Sequence, residues 1–413
     1  MNTIAKDHNF KARMSDEIYH DMLSPEETQN IRAEVRRFAE THVAPRARKI
    51  GEADESVEGF AFDLYRRMGD EGLFAIPFGT ENKGRGLAHR VAATATTIEE
   101  LAYFSNSVAA VYDVNCILAG RTLERASEEV REECLHPLIR GEKIGAFATT
   151  EPEASTDLSP KALKTRATLK NGIYTVNGHK RWITNAPVAD FVTMLCTSKD
   201  GLVELTIDLH AKGVTVGKPD QKLGNRGQLT GDIYLKDVEV PESRRIGTPG
   251  EGLRIALQTL TYGRVGIAAT GVGMAQACFD ETMAHLKTRH AFGKPIGANQ
   301  YWQFKMAERA CHLENARSLY LKAALRMDSG VAFPEPEAAM AKFYATELAV
   351  DMARDGIQAM GGYGFMRSLS HDDHHNPVET HYRDAKIAEI YEGTNEIQRM
   401  VVARTLFGKE MTG

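Results

Sequence analysis

Apolar residues recur at helical spacing toward both ends of the chain and alternate with polar ones in the middle. Helices are expected from about Leu23 to Glu142, beginning where Ser24-Pro25-Glu26-Glu27 reads as a capping box with proline at the first helical position. Ile31, Val35 and Phe38 mark an apolar face running to Pro45, and further helical pattern covers Phe60–Met68 and Arg90–Leu101. Ser107–Leu118 is apolar except for Asp113 and Asn115, as in a core helix. A carboxylate there is unusual, because an unpaired buried charge is costly. An aspartate at a helix end, or one paired with Arg121, is the bland alternative.

From Gly145 the period changes to two. Thr165–Leu169 and Ile173–Val176 flank Asn171-Gly172, a strong hairpin signal, and Asn177-Gly178 reads as a second turn. Phe191–Thr197, Val203–Leu209, Val214–Val216 and Asp232–Val240 complete a set of short strands. After Pro241 the pattern is helical again over Gly252–Arg289, Asn299–Asp328, Glu335–Met360 and Ala385–Leu406. Helix, sheet, helix is the order expected of a mainly α protein with a small central antiparallel β domain. Boundaries fall at 1–144, 145–245 and 246–413. No Gly-x-Gly-x-x-Gly opens a βαβ unit, which argues against a nicotinamide-binding Rossmann fold.

Composition narrows the function. A chain of 413 residues with net charge -5 and no basic stripe is a poor nucleic-acid binder. Cys116, Cys134, Cys196, Cys278 and Cys311 are scattered and odd in number, so reduced thiols are expected, not disulfides or zinc. The first residues lack the apolar core of a signal peptide, and no apolar run is long enough to span a membrane; a cytoplasmic address is expected.

Chemistry concentrates in a few stretches. Tyr382–Arg404 is strong helix-forming sequence broken at Tyr391-Glu392-Gly393-Thr394-Asn395, where Gly393 permits unusual backbone angles and Thr394 or Asn395 can cap a new helix. A carboxylate thus sits at a helix break; an exposed glutamate at a corner is the alternative. Ala146–Asp157, rich in hydroxyls, suits an anionic or carbonyl-rich ligand, or is simply a polar connecting loop. In Trp182-Ile183-Thr184-Asn185 a large ring stands beside a hydroxyl, able to cover a planar cofactor or to fill core. Arg289, in Thr288–Lys294, can neutralise a pyrophosphate or belong to a solvated basic cluster. Ser370–Asn376, with His371, His374 and His375, is better read as a surface or subunit-interface loop than as a metal site, because adjacent loop histidines lack a supporting shell.

The stretch around Glu392 resembles the C-terminal signature of the acyl-CoA dehydrogenase family, FAD enzymes that introduce an α,β double bond into acyl-CoA thioesters. Ala146–Asp157, Asn177–Asn185 and Arg289–Lys294 resemble further motifs of that family in the expected order, although Glu153-Ala154-Ser155 replaces its usual Gly-Ala-Gly. The resemblance implies an N-terminal helical domain, a β-barrel or sandwich and a C-terminal four-helix bundle. It implies Glu392 as catalytic base, with its own N–H and the flavin ribityl 2′-hydroxyl holding the thioester carbonyl. FAD would meet Phe147, Thr149, Thr150, Thr156, Trp182, Thr184, Thr394 and Glu396. Arg289, Phe292, Gln300, Gln358, Gly361 and Gly362 would meet the cofactor of a neighbouring subunit, which makes a dimer-of-dimers homotetramer the expected assembly. The substrate would touch Thr156, Arg264, Tyr391 and Gly393, and by rough alignment Asp113 at the floor of the acyl cavity. Asp113 would favour a polar, short or cyclic acyl group, or act as a second base. Some family members carry their glutamate where Gly263 stands, and glycine leaves Glu392 without a rival. Electrons would pass to an electron-transferring flavoprotein. A flavin monooxygenase, a non-catalytic assembly protein and a double-bond reductase on the same fold are the alternatives.

Overall fold

The computed structural model describes Arg13, residues 24–371 and residues 375–412. Helix α1 spans Glu26–Phe38 and continues through tight turns past Pro45; α2 spans Phe62–Asp70, α3 Arg90–Ala102 and α4 Asn106–Asp113. The expected capping box does not form. Pro25 occupies the N-cap position with no side-chain cap bond, and the Ser24 hydroxyl is buried without a partner among the described residues. The core helix around Asp113 is present and wholly buried, α4 passing directly into the π-helical turns of Val114–Gly120.

Among the described residues eight strands form one sheet: β1 (Gly145–Ala148), β2 (Arg166–Lys170), β3 (Ile173–Thr184), β4 (Phe191–Ser198), β5 (Gly201–Asp208), β6 (Val214–Val216), β7 (Thr230–Pro241) and β8 (Arg245–Ile246). Their order is β6-β7-β3-β2-β4-β5-β8. Pairing is mostly antiparallel, but β1 runs parallel to β4, and β2 meets β4 in parallel at Arg166 and Thr197. The Asn171-Gly172 hairpin is present, with both residues at positive φ (52° and 76°) and Lys170 opposite Ile173. Asn177-Gly178, expected as a turn, instead lies inside β3. The strand stays paired with β7 on both sides, and its register shifts between Val176 and Gly178, a bulge. A Cβ at Gly178 would stand 2.5 Å from the Thr165 hydroxyl, so the bulge fits against Thr165 only without a side chain.

The last third is helical: α5 (Gly252–Thr288), α6 (Gln300–Asp328), α7 (Glu337–Met360), α8 (Pro377–Ala388) and α9 (Asn395–Phe407), plus short turns. The expected final helix is therefore two, and α8 starts earlier than the periodicity indicated because Asn376 caps it by accepting from the Val378 N–H. Helix α7 packs against α5, α6, α8 and α9, while α3 packs against α1, α5 and α6. At this junction sits a buried ionic cluster. Arg32 and Arg36 of α1 reach Glu100 at 2.8 and 3.2 Å, Arg13 reaches it at 2.9 Å, and Arg317 of α6 reaches Glu99 at 2.8 Å. Burial opposes ionisation of Glu99, but Arg317 and Arg32 hold its carboxyl down to about 2. Cys116, Cys134, Cys196 and Cys278 are buried free thiols and Cys311 is an exposed one. No helix among the described residues is long and apolar enough to cross a membrane.

Candidate active site

The break between α8 and α9 is built from left-handed backbone. Glu392 has φ 55° and Gly393 φ 90°, and the Asn395 N–H closes the turn onto the Glu389 carbonyl at 2.9 Å. Positive φ costs a glutamate energy, so the surroundings must enforce it. They do so through Gly393, whose carbonyl accepts from Lys342 Nζ at 3.0 Å and Gln398 Nε2 at 2.8 Å. Lys342 also donates to Asn395 Oδ1 at 2.9 Å. Thr394 stands at the N-cap of α9 but makes no cap bond to the backbone. It serves Glu396 instead, whose carboxyl is held below its usual range by backbone and Thr394 hydrogen bonds.

This turn directs the Glu392 side chain onto α5. A Cβ built at Gly263 would lie 1.7 Å from Glu392 Oε2, and one at Gly266 would lie 2.1 Å from Asp113 Oδ1. Two glycines one turn apart thus seat two buried carboxyl groups side by side, close enough for each to act on the other's charge. Asp113 is fully buried, and neither of its oxygens meets an N–H or hydroxyl donor among the described residues. The alternative pairing with Arg121 does not occur; that guanidinium donates to the Pro77 carbonyl, pairs with Glu124 and covers the Tyr262 ring. Burial raises the Glu392 carboxyl to about 7, against the pull of Asp113, Lys342 and Arg264. Burial lowers Lys342 to about 7. Arg264 is buried and ion-paired with Glu335. Tyr391, its hydroxyl raised by burial, lies beside Asp113 and Glu392.

A second group gathers on β1 and β3. Phe147 and Thr149 are buried, Thr150 accepts the Arg181 N–H at its carbonyl, and Thr184 ends β3. Trp182 is 60 % exposed in left-handed backbone (φ 56°), so it is not core. Gly145 at the root of β1 is clamped by Asn115 Oδ1, which accepts its N–H at 3.0 Å, and by Asn185 Nδ2, which donates to its carbonyl at 3.2 Å. Behind the face, Lys180 pairs with Glu151 at 2.9 Å in full burial, and Glu151 also accepts the Thr165 N–H at 3.0 Å. Thr156 lies on the exposed turn that follows.

A third group is remote. Arg289, Gly361 and Gly362 line one cavity, while Gln300 and Gln358 are exposed. Phe292 is fully exposed at the tip of a two-residue ribbon in which β9 (His290–Ala291) pairs with β10 (Lys294–Pro295). Gly263 lies in the first half of α5 and Arg289 caps its C-terminal end, roughly 40 Å apart at about 1.5 Å per residue. His371 borders the same cavity; Asp372, Asp373 and His374 of the histidine loop lie outside the described residues.

Three residues escaped the sequence reading, Lys342, Glu335 and Gly266, as did the pairing of Glu151 with Lys180. Lys342 had a signal, being the one charge in the otherwise apolar run Ala338–Ala345. The others had none that pattern alone reveals.

Three family models match in order: acyl-CoA dehydrogenase N-terminal domain over residues 25–142, middle domain over 146–238 and C-terminal domain over 250–407. The chain belongs to the acyl-CoA dehydrogenase family. It is 37 % identical to an acyl-CoA dehydrogenase of Bacillus subtilis over 384 residues, covering 92 % of this chain and 97 % of that one. It is also 37 % identical to a short-chain specific acyl-CoA dehydrogenase of Clostridium acetobutylicum, covering 92 % and 98 %. The solved butyryl-CoA dehydrogenase of Megasphaera elsdenii superposes with a TM-score of 0.85 at 31 % identity, covering 92 % and 98 %. As an acyl-CoA dehydrogenase the chain is a flavoprotein oxidoreductase acting on CH–CH groups, with FAD as cofactor. The second group fits that cofactor: an exposed indole ring beside threonine hydroxyls offers an apolar face and polar edges to a planar heterocycle.

Proposed function

We propose that this acyl-CoA dehydrogenase oxidises a short or polar acyl-CoA thioester to the 2-enoyl-CoA, with Glu392 as the base that removes the α-proton. The observation carrying this reading is the Glu392 carboxylate, aimed by a left-handed turn onto Gly263 and raised by burial to about 7. A base with that proton affinity is half-ionised at neutral pH and still strong enough to accept a proton from a weak carbon acid. Lys342 and Arg264 favour its ionised form from one side, while Lys342 fixes the turn through the Gly393 carbonyl. The Glu392 N–H is the donor offered to the thioester carbonyl, where charge builds as the α-proton leaves. Tyr391, Gly393 and Arg264 border the substrate, and Thr156 reaches the thioester arm.

Phe147, Thr149, Thr150, Thr156, Trp182, Thr184, Thr394 and Glu396 hold the cofactor. When bound, FAD accepts the hydride from the β-carbon. The short or polar acyl group is supported by Asp113, which puts a carboxyl beside Glu392 where a long hydrocarbon chain would need apolar wall. Arg289, at the C-terminal end of α5, and Gly361 and Gly362, which line a cavity with it, stand far from Glu392, which supports a homo-oligomer in which they, with Phe292, Gln300 and Gln358, serve a neighbour's FAD. An electron-transferring flavoprotein is the acceptor. The solved electron-transferring flavoprotein study of Acidaminococcus fermentans contributes a chain that superposes at TM-score 0.86 and 32 % identity, which supports that partner. The test is Glu392→Gln under anaerobic titration with acyl-CoA thioesters of graded length: FAD stays bound, and its absorbance is no longer bleached. Bleaching at the wild-type rate would refute the assignment.

A further inference from the structure

Asp113 takes no part in the proton transfer above, and its surroundings call for more than a wall of the acyl site. It is fully buried at the end of α4, with no donor to either oxygen among the described residues, against a glycine that leaves just room for it. Among the described residues, the charged group that faces it is the Glu392 carboxyl. Two carboxylates in contact in a dry site cannot both be ionised, because mutual repulsion adds to the cost of burial. From this geometry we infer that Asp113 and Glu392 hold one proton between them, with Asp113 a neutral acid that donates its hydrogen bond to the Glu392 carboxylate. Asp113 is thus a positioning residue, and the inference rests on Glu392 being the base.

The location of the proton follows from the groups facing each partner. On Glu392 bear Lys342 from α7 and Arg264 from α5, both favouring its negative charge. Glu335 stands behind Arg264, and Glu389 and Glu396 act on Lys342. On Asp113 bear burial and Glu392 itself, both favouring its protonated form, with Tyr112, Cys116 and Tyr391, neutral and themselves raised by burial, as the other titratable neighbours. The Asp113 O–H therefore supplies the hydrogen bond that its own anion lacks, and it locks the free rotation of the base. On turnover Glu392 gains the substrate's α-proton and the pair then holds two protons, so the Asp113 hydrogen bond must be remade once one is released.

The test uses the FAD-loaded enzyme, butanoyl-CoA as probe, and the variants Asp113→Asn and Asp113→Leu. Asparagine keeps an uncharged donor of the same size, whereas leucine removes the donor. Bleaching by butanoyl-CoA, followed against pH, is expected to keep its acid limb at the wild-type pH in D113N. In D113L that limb moves up by about one pH unit, a tenfold loss of ionised base on the acid side. Independently of turnover, the infrared difference between wild type and D113N at pH 8 should show a protonated-carboxyl C=O band, which is retained in E392Q. Other buried carboxyls, such as Glu204 raised by burial to about 8, cancel in that difference. An absent band, or an unmoved limb in D113L, overturns the pairing. A folded, FAD-loaded D113N without turnover also overturns it, since Asp113 would then be a base in its own right. Should E392Q still bleach, the base assignment fails instead. If D113L does not fold, D113N and the infrared band decide.

Discussion

Gly263→Ala isolates the placement of the base from its chemistry. The added Cβ would lie 1.7 Å from Glu392 Oε2 and 2.7 Å from its Cδ, where ordinary contact starts at 3.4 Å. The carboxylate must retreat by the difference, about 1.7 Å, and it can, being the free end of a side chain. Misplacing a reacting group by about 1 Å can cost ~10²-fold in rate, or about 3 kcal/mol of barrier. The fold should not suffer: replacing glycine in a helix interior contributes up to about 1 kcal/mol, enough to offset a small shift of Leu118, whose Cδ2 would lie 3.1 Å from the new atom. The expected variant therefore binds FAD, melts no lower than wild type, and is bleached by acyl-CoA about a hundredfold more slowly in anaerobic rapid mixing. A rate within threefold of wild type in the fully loaded variant would refute the claim that this carboxylate works from this seat.

Three further outcomes follow from the same geometry. The Glu392 carboxyl is raised from the usual 4.5 to about 7, so the native state keeps a proton that the unfolded chain releases, and stability from this group is lost as pH rises through that window. Glu392→Gln should thus be up to about 3 kcal/mol more stable than wild type above pH 7, less whatever Lys342 loses with its partner, and equal to it below pH 4; melting temperatures across pH decide. Lys180→Met strands Glu151 with a buried charge, and about 3–5 kcal/mol of stability should go with it, measured by chemical denaturation, whereas Lys180→Met with Glu151→Leu should recover part. Trp182→Ala should leave the melting temperature of the FAD-free protein nearly unchanged, because the ring is mostly exposed, yet weaken FAD retention on ultrafiltration at least tenfold; unchanged retention would remove Trp182 from the cofactor site.

The elements with local causes were legible in the sequence. Asn171-Gly172 makes its turn from two residues that tolerate positive φ, and the Tyr391–Asn395 break shows in the same way. Asn177-Gly178 carries the same signal and misled, because pairing to β7 on both sides outweighs a local preference for turning. Ser24 misled similarly, the rigid Pro25 taking the cap position. The site divided along the same line. Glu392 was legible through its motif, and Asp113 through a charge in an apolar run. Their meeting was not, because it depends on a helix edge at Gly263 and Gly266 that only tertiary packing creates. Lys342 and Glu335 fall in the same class, since their partners lie far away in sequence.

The ionic cluster beneath α3 has a consequence for how the protein can be divided. Its acids lie on the N-terminal helices and one of its guanidinium groups, Arg317, on α6. Cutting the chain at the edge of the β-sheet would leave Arg317 on one fragment without the carboxylate it pairs with, and Glu99 on the other with Arg32 as its remaining guanidinium. Neither piece is suited to independent life. Engineering that exchanges modules between relatives should move both ends of the polypeptide as a unit and graft only the sheet.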